Sequence, residues 1–322
     1  MSFKLIKEKL NKFGSKKEPF LFVISYDLSK FYIEKLSELP TSIKYEFNSK
    51  EHHKTKNKKP KLEKSPISFE KYKEKFELLQ EEIKKGNSYL LNLTSKTKIN
   101  IDMSLDEIFE NTNAKFKIRY KNLDDDFVCF SPERFIEIKK NKISTYPMKG
   151  TIDVNIPNAQ ARILGDVKEM AEHTMVVDLL RNDLGIIASK VRVEKFRYVE
   201  NINAGDKKLL QVSSKISAQL DANWNERIGD IITSILPAGS ITGTPKKKTV
   251  EILKNIEGYE RDFYTGIFGV FDGENFDSAV MIRFIEKDKT GKIFYKSGGG
   301  ITVDSNVDLE YKELIDKVYL PF

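Results

Sequence analysis

The sequence predicts a soluble globular protein that combines α-helices with antiparallel β-strands. Residues 127–149 form two largely apolar arms around a polar turn, the pattern of a hairpin. Residues 263–296 hold further strand-like runs separated by turn residues, which predicts a meander. Helical patterns cover residues 69–85 and 166–184. The composition of the 322 residues, 39% hydrophobic and 32% charged, is ordinary for such a chain.

The chain carries no sign of membrane insertion or secretion. No stretch approaches the roughly 18 apolar residues of a membrane span, and the first eight residues lack the apolar core of a secretory signal. Cys129 is the single cysteine, which excludes an internal disulfide and favours a reducing compartment. We therefore predict a cytoplasmic protein with no membrane partner. We divide it into an N-terminal segment, residues 1–65, and a main domain, residues 66–322.

The net charge of +7 is concentrated in one segment. Residues 49–64 carry seven lysines against two glutamates, without an aromatic residue for base stacking or an arginine for reading base edges. This composition is typical of a solvated loop, so no nucleic-acid partner is predicted. His52 and His53 lie in this segment, and two adjacent histidines alone make a poor metal site.

The first elements follow in a simple order. Phe20 to Tyr26 is a strand-like run, and a helix from Phe69 to Lys85 should end at Gly86 as a C-terminal cap. The run Tyr89 to Thr94 then predicts a buried strand.

The predicted hairpin draws attention to Lys149. Its first arm holds residues 127–130 and 134–138, its turn residues 139–142 and its return arm residues 143–147. If the turn is centred on Asn141, Glu133 faces Lys149 within about 5.5 Å at Cβ. An amine held out of bulk water can lose its proton near neutral pH and act as a nucleophile. The alternative is a surface lysine in a weak ion pair.

The helix predicted over residues 166–184, with Gly185 at its end, is apolar around most of its circumference. Such a helix is expected to be buried. Its polar residues, Glu172 and His173 among them, must then find partners or ligands. A structural ion-pair network would satisfy them equally well.

Three further segments carry chemistry. Thr244 and Pro245 predict a helix start after a glycine-containing loop, which suits an anion. Arg283 lies in a strand with two apolar faces, residues 278–285, and is expected to be buried with an anion. Gly298 to Gly300 follow the last strand, where backbone amides could approach a ligand, although a plain turn is the alternative.

The last predicted helix starts near Asn306, with Asp304 or Ser305 as its cap. Glu310 and Glu313 share one face, and Lys317 lies one turn beyond Glu313. These side chains could form a solvated polar stripe. Alternatively, the two carboxylates could bind Mg²⁺ beside a lysine amine that binds an anion.

Taken together, these segments resemble the chorismate-utilising enzymes: the first components of anthranilate and aminodeoxychorismate synthase, and the isochorismate and salicylate synthases. The motifs occur in the family's order over about residues 70–322. The matching stretches are Ser131-Pro132-Glu133-Arg134-Phe135, Met148-Lys149-Gly150-Thr151, Ala171-Glu172-His173, Val177-Asp178-Leu179-Leu180-Arg181-Asn182-Asp183-Leu184-Gly185, Gly239-Ser240-Ile241-Thr242-Gly243, Tyr264-Thr265-Gly266-Ile267-Phe268-Gly269, Gly298-Gly299-Gly300-Ile301 and Glu310-Tyr311-Lys312-Glu313.

The resemblance implies an α+β fold, a chorismate-binding fold with two large antiparallel sheets packed face to face and helices on the outside. It implies that Lys149 adds to chorismate, that Glu133 is the general acid and base, and that His173 belongs to the catalytic set. It assigns Mg²⁺ to Glu172, Glu310 and Glu313. The implied substrate-binding residues are Gly150, Thr151, Thr242, Tyr264, Arg283, Gly298, Gly299, Gly300 and Lys317.

Two positions distinguish branches of the family. Isochorismate and salicylate synthases have a lysine base where this chain has Leu90, and anthranilate synthases typically have alanine where it has Lys149. The resemblance therefore favours the aminodeoxychorismate branch, which feeds p-aminobenzoate and folate. Anthranilate synthase component I is the alternative. His173 matches a histidine associated there with pyruvate loss, but this histidine also occurs in the aminodeoxychorismate branch.

The resemblance also implies a partner. A separate class I glutamine amidotransferase subunit would supply ammonia, since the chain has no cysteine nucleophile motif of its own. The N-terminal region is shorter than in typical members, so we expect no tryptophan feedback.

Overall fold

The computed structural model describes residues 2–48, 60–204 and 207–321, and shows a mixed helix and strand protein. Within these ranges, no helix has the length and apolar character needed to cross a membrane. The helices are α1 (Ser2–Ser15), α2 (Phe69–Lys84), α3 (Leu105–Asn111), α4 (Ala159–Gly165), α5 (Val167–Ile187), α6 (Ile228–Ile235), α7 (Lys246–Glu257) and α8 (Val307–Asp316).

The strands form two large antiparallel sheets. They are β1 (Phe20–Ile24), β2 (Phe31–Lys35), β3 (Lys44–Phe47), β4 (Leu62–Ser65), β5 (Leu90–Ile101), β6 (Phe116–Lys121), β7 (Asp126–Ser131), β8 (Arg134–Lys139), β9 (Lys142–Thr145), β10 (Met148–Asp153), β11 (Ser189–Ala204), β12 (Lys207–Gln219), β13 (Gly243–Thr244), β14 (Ile267–Phe271), β15 (Phe276–Val280), β16 (Phe284–Lys287) and β17 (Ile293–Ile301). The first sheet runs β10-β12-β9-β8-β15-β14-β1-β2, with β11 also on β12. The second runs β13-β5-β17-β16-β7-β6-β3, with β4 also on β5.

The sheets pack face to face and carry helices on their outer faces, as expected. Strand β1 explains why: all five of its residues are apolar and buried, so both of its faces must be covered. The core between the sheets includes Leu21, Val23, Phe116, Phe127, Phe268 and Phe284. Helices α1, α5 and α6 cover the first sheet, and α2, α7 and α8 cover the second. The boundary predicted at residue 65 stays a prediction.

The predicted hairpin is half right. Strands β8 and β9 pair as expected, with Ile138 opposite Ile143, but residues 127–130 belong to β7 in the second sheet. The chain crosses between the sheets at Pro132 and Glu133. Periodicity could not reveal this, because the alternation of apolar residues continues on both sides of the crossing.

The predicted strand over residues 278–285 is divided in the same way. Strand β15 lies in the first sheet and β16 in the second, and Arg283 at the crossing has a positive φ of 56°. The two crossings run side by side: Val280 N–H donates to the Glu133 carbonyl (3.1 Å), and Phe130 N–H donates to the Arg283 carbonyl (3.2 Å). Each crossing thus fixes the position of the other.

Several predicted element ends need correction. Helix α5 continues through Gly185 to Ile187, because Gly185 keeps helical geometry rather than the left-handed conformation of a cap. The helix is not buried all round, since it packs by one side only and Val167 is 73% exposed. Helix α2 ends at Lys84, and Gly86 has the expected positive φ of 76°.

The start of α7 is displaced by one residue from the prediction. Thr244 belongs to β13 and pairs with Leu90 of β5, and Pro245 takes the N-cap position. At α8 the cap is Asn306, whose side chain accepts from the N–H groups of Asp308 and Leu309, and not Asp304 or Ser305.

Two loop predictions are also wrong in part. Gly298 to Gly300 lie inside β17, opposite Thr94, Leu93 and Asn92 of β5, because the partner strand extends beyond them. Within the lysine-rich segment, Leu62 to Ser65 pair with β5 as β4. Residues 49–59, with the predictions for His52 and His53, lie outside the described residues.

A buried ion pair joins α7 to the second sheet. The side chains of Glu257 and Arg261 are each 2% exposed and lie 2.7 Å apart. Glu257 Oε1 also accepts from the backbone N–H of Thr94 in β5 (2.8 Å), and Arg261 Nη2 donates to the Asn92 carbonyl (2.6 Å). The pair therefore fixes the middle of β5 from outside the ladder.

We predict that Glu257→Gln lowers the free energy of unfolding by about 3–5 kcal/mol, because the buried Arg261 charge loses its partner. Urea denaturation monitored by circular dichroism measures the change. The matched control is Asp178→Asn, which breaks the exposed pair with Arg181 and should cost less than about 1 kcal/mol. Equal effects of the two substitutions would contradict the prediction.

Candidate active site

Lys149 leaves the sheet at an irregularity in β10. The pairing of β10 with β12 shifts between Met148 and Thr151, so Lys149 and Gly150 have no regular partner. Gly150 has a φ of 88°, and a Cβ there would lie 3.0 Å from Glu169 Oε2. Such bulges re-aim side chains and are frequent beside active sites. Here the bulge directs the Lys149 amine towards α5.

The partner of Lys149 is Glu172, not Glu133. The Lys149 Nζ lies 2.6 Å from Glu172 Oε2. Burial by itself lowers the pKa of the Lys149 amine, but the carboxylates of Glu172, Glu313 and Glu169 together outweigh burial and the net pKa is raised. The raised pKa runs against the expectation of an amine that loses its proton near neutral pH.

Helices α5 and α8 bring the predicted carboxylates to one region. Lys168 Nζ lies 3.8 Å from Glu172 Oε1 and 3.9 Å from Glu310 Oε1. Burial raises the pKa of Glu310, and Glu313 adds to the rise. Glu313 itself pairs with Lys317 at 2.6 Å. Burial would raise the Glu313 pKa, but the lysine reverses the effect and the pKa is lowered.

Glu169 is a site residue that the sequence analysis missed. Its Oε2 is buried without a hydrogen-bond partner, and burial raises the pKa of its carboxyl group, with Glu172 adding to the rise. The sequence does contain a signal for Glu169. It lies three residues before Glu172, and this spacing places both side chains on one face of α5.

The oxygen atoms of these carboxylates are the ligands that Mg²⁺ prefers. Glu169 Oε2 in addition receives no hydrogen bond from the described residues. In the described part of the chain, however, no group of three or more His, Cys, Asp or Glu side chains is arranged to hold a metal ion. Lysine ammonium groups contact Glu172, Glu310 and Glu313 instead. A bound cation would have to draw these oxygens together.

Glu133 lies on the first crossing between the sheets. Its Oε1 accepts a hydrogen bond from the Ser240 hydroxyl at 2.5 Å. Burial raises the pKa of the carboxyl group, although Ser240, Arg283 and Lys317 act in the opposite direction. A carboxyl group with a raised pKa can donate a proton and later accept one, the property required of a general acid and base.

Arg283 lies on the second crossing and is half-buried rather than buried. Its Nε donates to the Tyr319 hydroxyl (3.4 Å), and its guanidinium group lies 5.1 Å from the centre of the Tyr319 ring. No carboxylate forms an ion pair with it among the described residues, so its charge remains available for an anion. Tyr264 is buried nearby and packs against Phe284.

The glycines of β17 keep this region open. A Cβ at Gly299 would lie 3.3 Å from Glu310 Oε2, and one at Gly300 would lie 3.1 Å from Leu90 Cδ1 and 3.7 Å from Lys149 Nζ. The Lys317 amine donates to the Gly298 carbonyl at 2.7 Å. The glycine strand therefore borders both the lysine and the carboxylates.

The remaining predicted residues are less central. His173 is fully buried, its Nε2 lies 2.7 Å from the Ser214 hydroxyl, and burial together with Arg197 lowers its pKa to about 4. It is therefore neutral at pH 7. Thr242 is buried and donates its hydroxyl hydrogen to the Ala238 carbonyl, whereas Thr151 is exposed.

Comparison with known proteins gives a consistent result. Residues 8–321 match the model of the chorismate binding enzyme family. A PabA-like protein of Pasteurella multocida is 47% identical, with 100% of this chain and 99% of the relative aligned. Aminodeoxychorismate synthase component 1 of Salmonella typhimurium is 32% identical over 77% of this chain. The alignment spans only 56% of that relative.

Solved structures agree on the fold. Anthranilate synthase component I of Streptococcus pneumoniae superposes with a TM-score of 0.69 at 25% identity, covering 80% of this chain and 58% of that one. The menaquinone-specific isochorismate synthase of Escherichia coli gives 0.71 at 14% identity, covering 98% and 80%. The second likeness supports the fold alone.

We predict that replacing Glu172 changes the chemistry of Lys149. In Glu172→Gln, burial remains but the carboxylate is gone, so the Lys149 pKa should fall and the amine should react faster with a lysine-modifying reagent near neutral pH. Mass spectrometry after brief reductive methylation measures the rate at each lysine, with exposed Lys208 as the internal reference. An unchanged Lys149 to Lys208 ratio would refute the prediction.

A second prediction concerns Glu133 and pH. Because its folded-state pKa is raised, the folded chain binds more protons than the unfolded chain between the ordinary glutamate pKa and the raised value. Stability should therefore fall as pH rises through this interval. Glu133→Gln should make the fall shallower, while Glu169 and Glu310 still contribute. Urea midpoints from pH 4 to about pH 8 test this, and an unaltered profile would contradict it.

Proposed function

The chain belongs to the chorismate binding enzyme family, and within it we propose that it converts chorismate and ammonia into 4-amino-4-deoxychorismate. This is the reaction of aminodeoxychorismate synthase component I, on the route to p-aminobenzoate and folate. The observation that carries the proposal is the position of Lys149, on a bulge between buried carboxylates and the glycines of β17. Relatives that bear this enzyme's name at 32% identity support it.

The proposed reaction has two displacements. The Lys149 amine, once deprotonated, forms a bond to C2 of chorismate while the C4 hydroxyl leaves as water with a proton from Glu133. Ammonia then forms a bond to C4 and the Lys149 nitrogen leaves C2. Glu133 accepts a proton from the incoming nitrogen. Burial raises the pKa of Glu133 and the Ser240 hydrogen bond orients its carboxyl group, which would suit both transfers.

We propose that Glu172, Glu310 and Glu313 hold Mg²⁺, with Glu169 beside them. When bound, the metal would neutralise these carboxylates and the ring carboxylate of the substrate. Arg283, Tyr264 and Lys317 would position the substrate's carboxylates. The remaining contacts would come from Gly150, Thr151, Thr242 and the amides of Gly298, Gly299 and Gly300.

The ammonia would come from a glutamine amidotransferase partner. Cys129, the single cysteine, is fully buried, and burial raises the pKa of its thiol, so it does not suit the role of a glutaminase nucleophile. We also propose that the reaction takes place in the cytoplasm, because a chain with a single cysteine suits a reducing compartment.

Anthranilate synthase activity is the second candidate. It is favoured by His173 and by an Archaeoglobus fulgidus anthranilate synthase component 1 that is 31% identical over 78% of this chain. Incubation with chorismate, Mg²⁺ and ammonium separates the candidates, because only anthranilate fluoresces without an added lyase.

We predict that Lys149→Ala lowers the rate of amination by at least about 100-fold, because the first displacement loses its nucleophile. Chromatography of the product after a fixed time measures the rate. The control is Lys208→Ala, which removes an exposed lysine from β12 beside β10. The same product at an undiminished rate from Lys149→Ala would show that the nucleophile is assigned wrongly.

A further inference from the structure

Asn92 has no role so far, although it lies in the middle of the site. It sits in β5 directly opposite Gly300 of β17. Its side-chain oxygen, Oδ1, is buried, and no donor in the described part of the chain reaches it. A buried carbonyl oxygen without a donor is costly, so such an atom is expected to receive one from a ligand.

The backbone of Asn92 is fixed from both sides. Its N–H donates to the Thr242 carbonyl at 3.2 Å, and its carbonyl accepts from Arg261 Nη2 at 2.6 Å. Arg261 is itself held by Glu257. The backbone from which the Asn92 side chain extends is therefore held by the same buried pair that secures β5.

Asn92 and Lys149 border the same space. Directly opposed residues of two strands point to one face, so Asn92 shares a face with Gly300. A Cβ at Gly300 would lie 3.7 Å from Lys149 Nζ, and one at Gly298 would lie 2.9 Å from Asn92 Oδ1. The absence of side chains at these two glycines thus lets the amine and the amide oxygen both approach the same stretch of β17.

We propose that Asn92 Oδ1 binds the attacking ammonia and orients it. This inference rests on the proposed amination. One N–H of ammonia donates to Oδ1, which leaves the nitrogen lone pair free to form the bond to C4 while the bond between C2 and the Lys149 nitrogen breaks. The proton released from the new C4 nitrogen goes to Glu133.

Neither Asn92 nor Leu90 can activate water as a competing nucleophile. An amide oxygen can accept a hydrogen bond but cannot take a proton from water. Leu90, on the same face of β5, cannot do so either. Ammonia needs no deprotonation before it attacks, whereas water does. Asn92 is therefore a residue for nucleophile positioning, with little effect expected on the first displacement.

The test separates the two displacements. Wild-type protein and Asn92→Ala are mixed with chorismate and Mg²⁺ without ammonium, and intact mass spectrometry follows the covalent adduct on Lys149. Ammonium is then added, and the loss of adduct and the appearance of product are timed. We expect adduct formation at a similar rate in both proteins, and loss of the adduct about 10- to 100-fold slower in Asn92→Ala.

Asn92→Asp and Asn100→Ala complete the experiment. Aspartate keeps the shape of asparagine and an acceptor oxygen, so the Asn92→Asp variant should lose the adduct faster than Asn92→Ala does. It also replaces Asn92→Ala in the experiment if the alanine variant does not fold. Asn100→Ala removes an exposed asparagine from the same strand and should behave as wild type.

The outcomes distinguish the two proposals. Absence of a Lys149 adduct in the wild type would overturn the proposed function. An adduct that wild type and Asn92→Ala consume equally fast would overturn the role of Asn92 alone. A slower formation of the adduct, with normal consumption, would assign Asn92 to chorismate and refute ammonia binding.

Discussion

The site depends on two chain segments that cross between the sheets side by side. Their mutual hydrogen bonds, from Val280 to Glu133 and from Phe130 to Arg283, make the crossings one unit. The carboxyl group and the guanidinium group that they carry are therefore positioned relative to each other by backbone bonds. The aromatic core between the sheets fixes the unit in turn. Side chains on a rigid scaffold hold their geometry better than side chains on free loops.

The second principle of the site is charge balance. Glu172, Glu310 and Glu313 lie close to the amines of Lys149, Lys168 and Lys317, and none of these acids stands alone. Burying carboxylates is costly unless opposite charges accompany them, so the lysines make the acid cluster compatible with a folded chain. Any cation that enters the cluster competes with amines already present.

Local patterns predicted much of the fold, and the resemblance supplied the motifs of the site. Helix α2, strand β1 and the β8–β9 hairpin follow from periodicity and caps. The division of two apparent strands between sheets could not be predicted, because an unbroken apolar alternation suits either arrangement. The bulge at Lys149 and the ion pair between Lys149 and Glu172 could not be predicted from the sequence either. Both depend on strand register and on α5, which are tertiary features.

The ion pair of Lys149 with Glu172 also affects the reactivity of the amine. A buried primary amine in its neutral form reacts with aldehydes and other cellular electrophiles, whereas an ammonium ion does not, because its lone pair carries the proton. The Glu172 carboxylate, 2.6 Å from Lys149 Nζ, favours the protonated form of the amine and so lowers its reactivity towards such electrophiles. The same contact thus protects the Lys149 amine from adventitious modification.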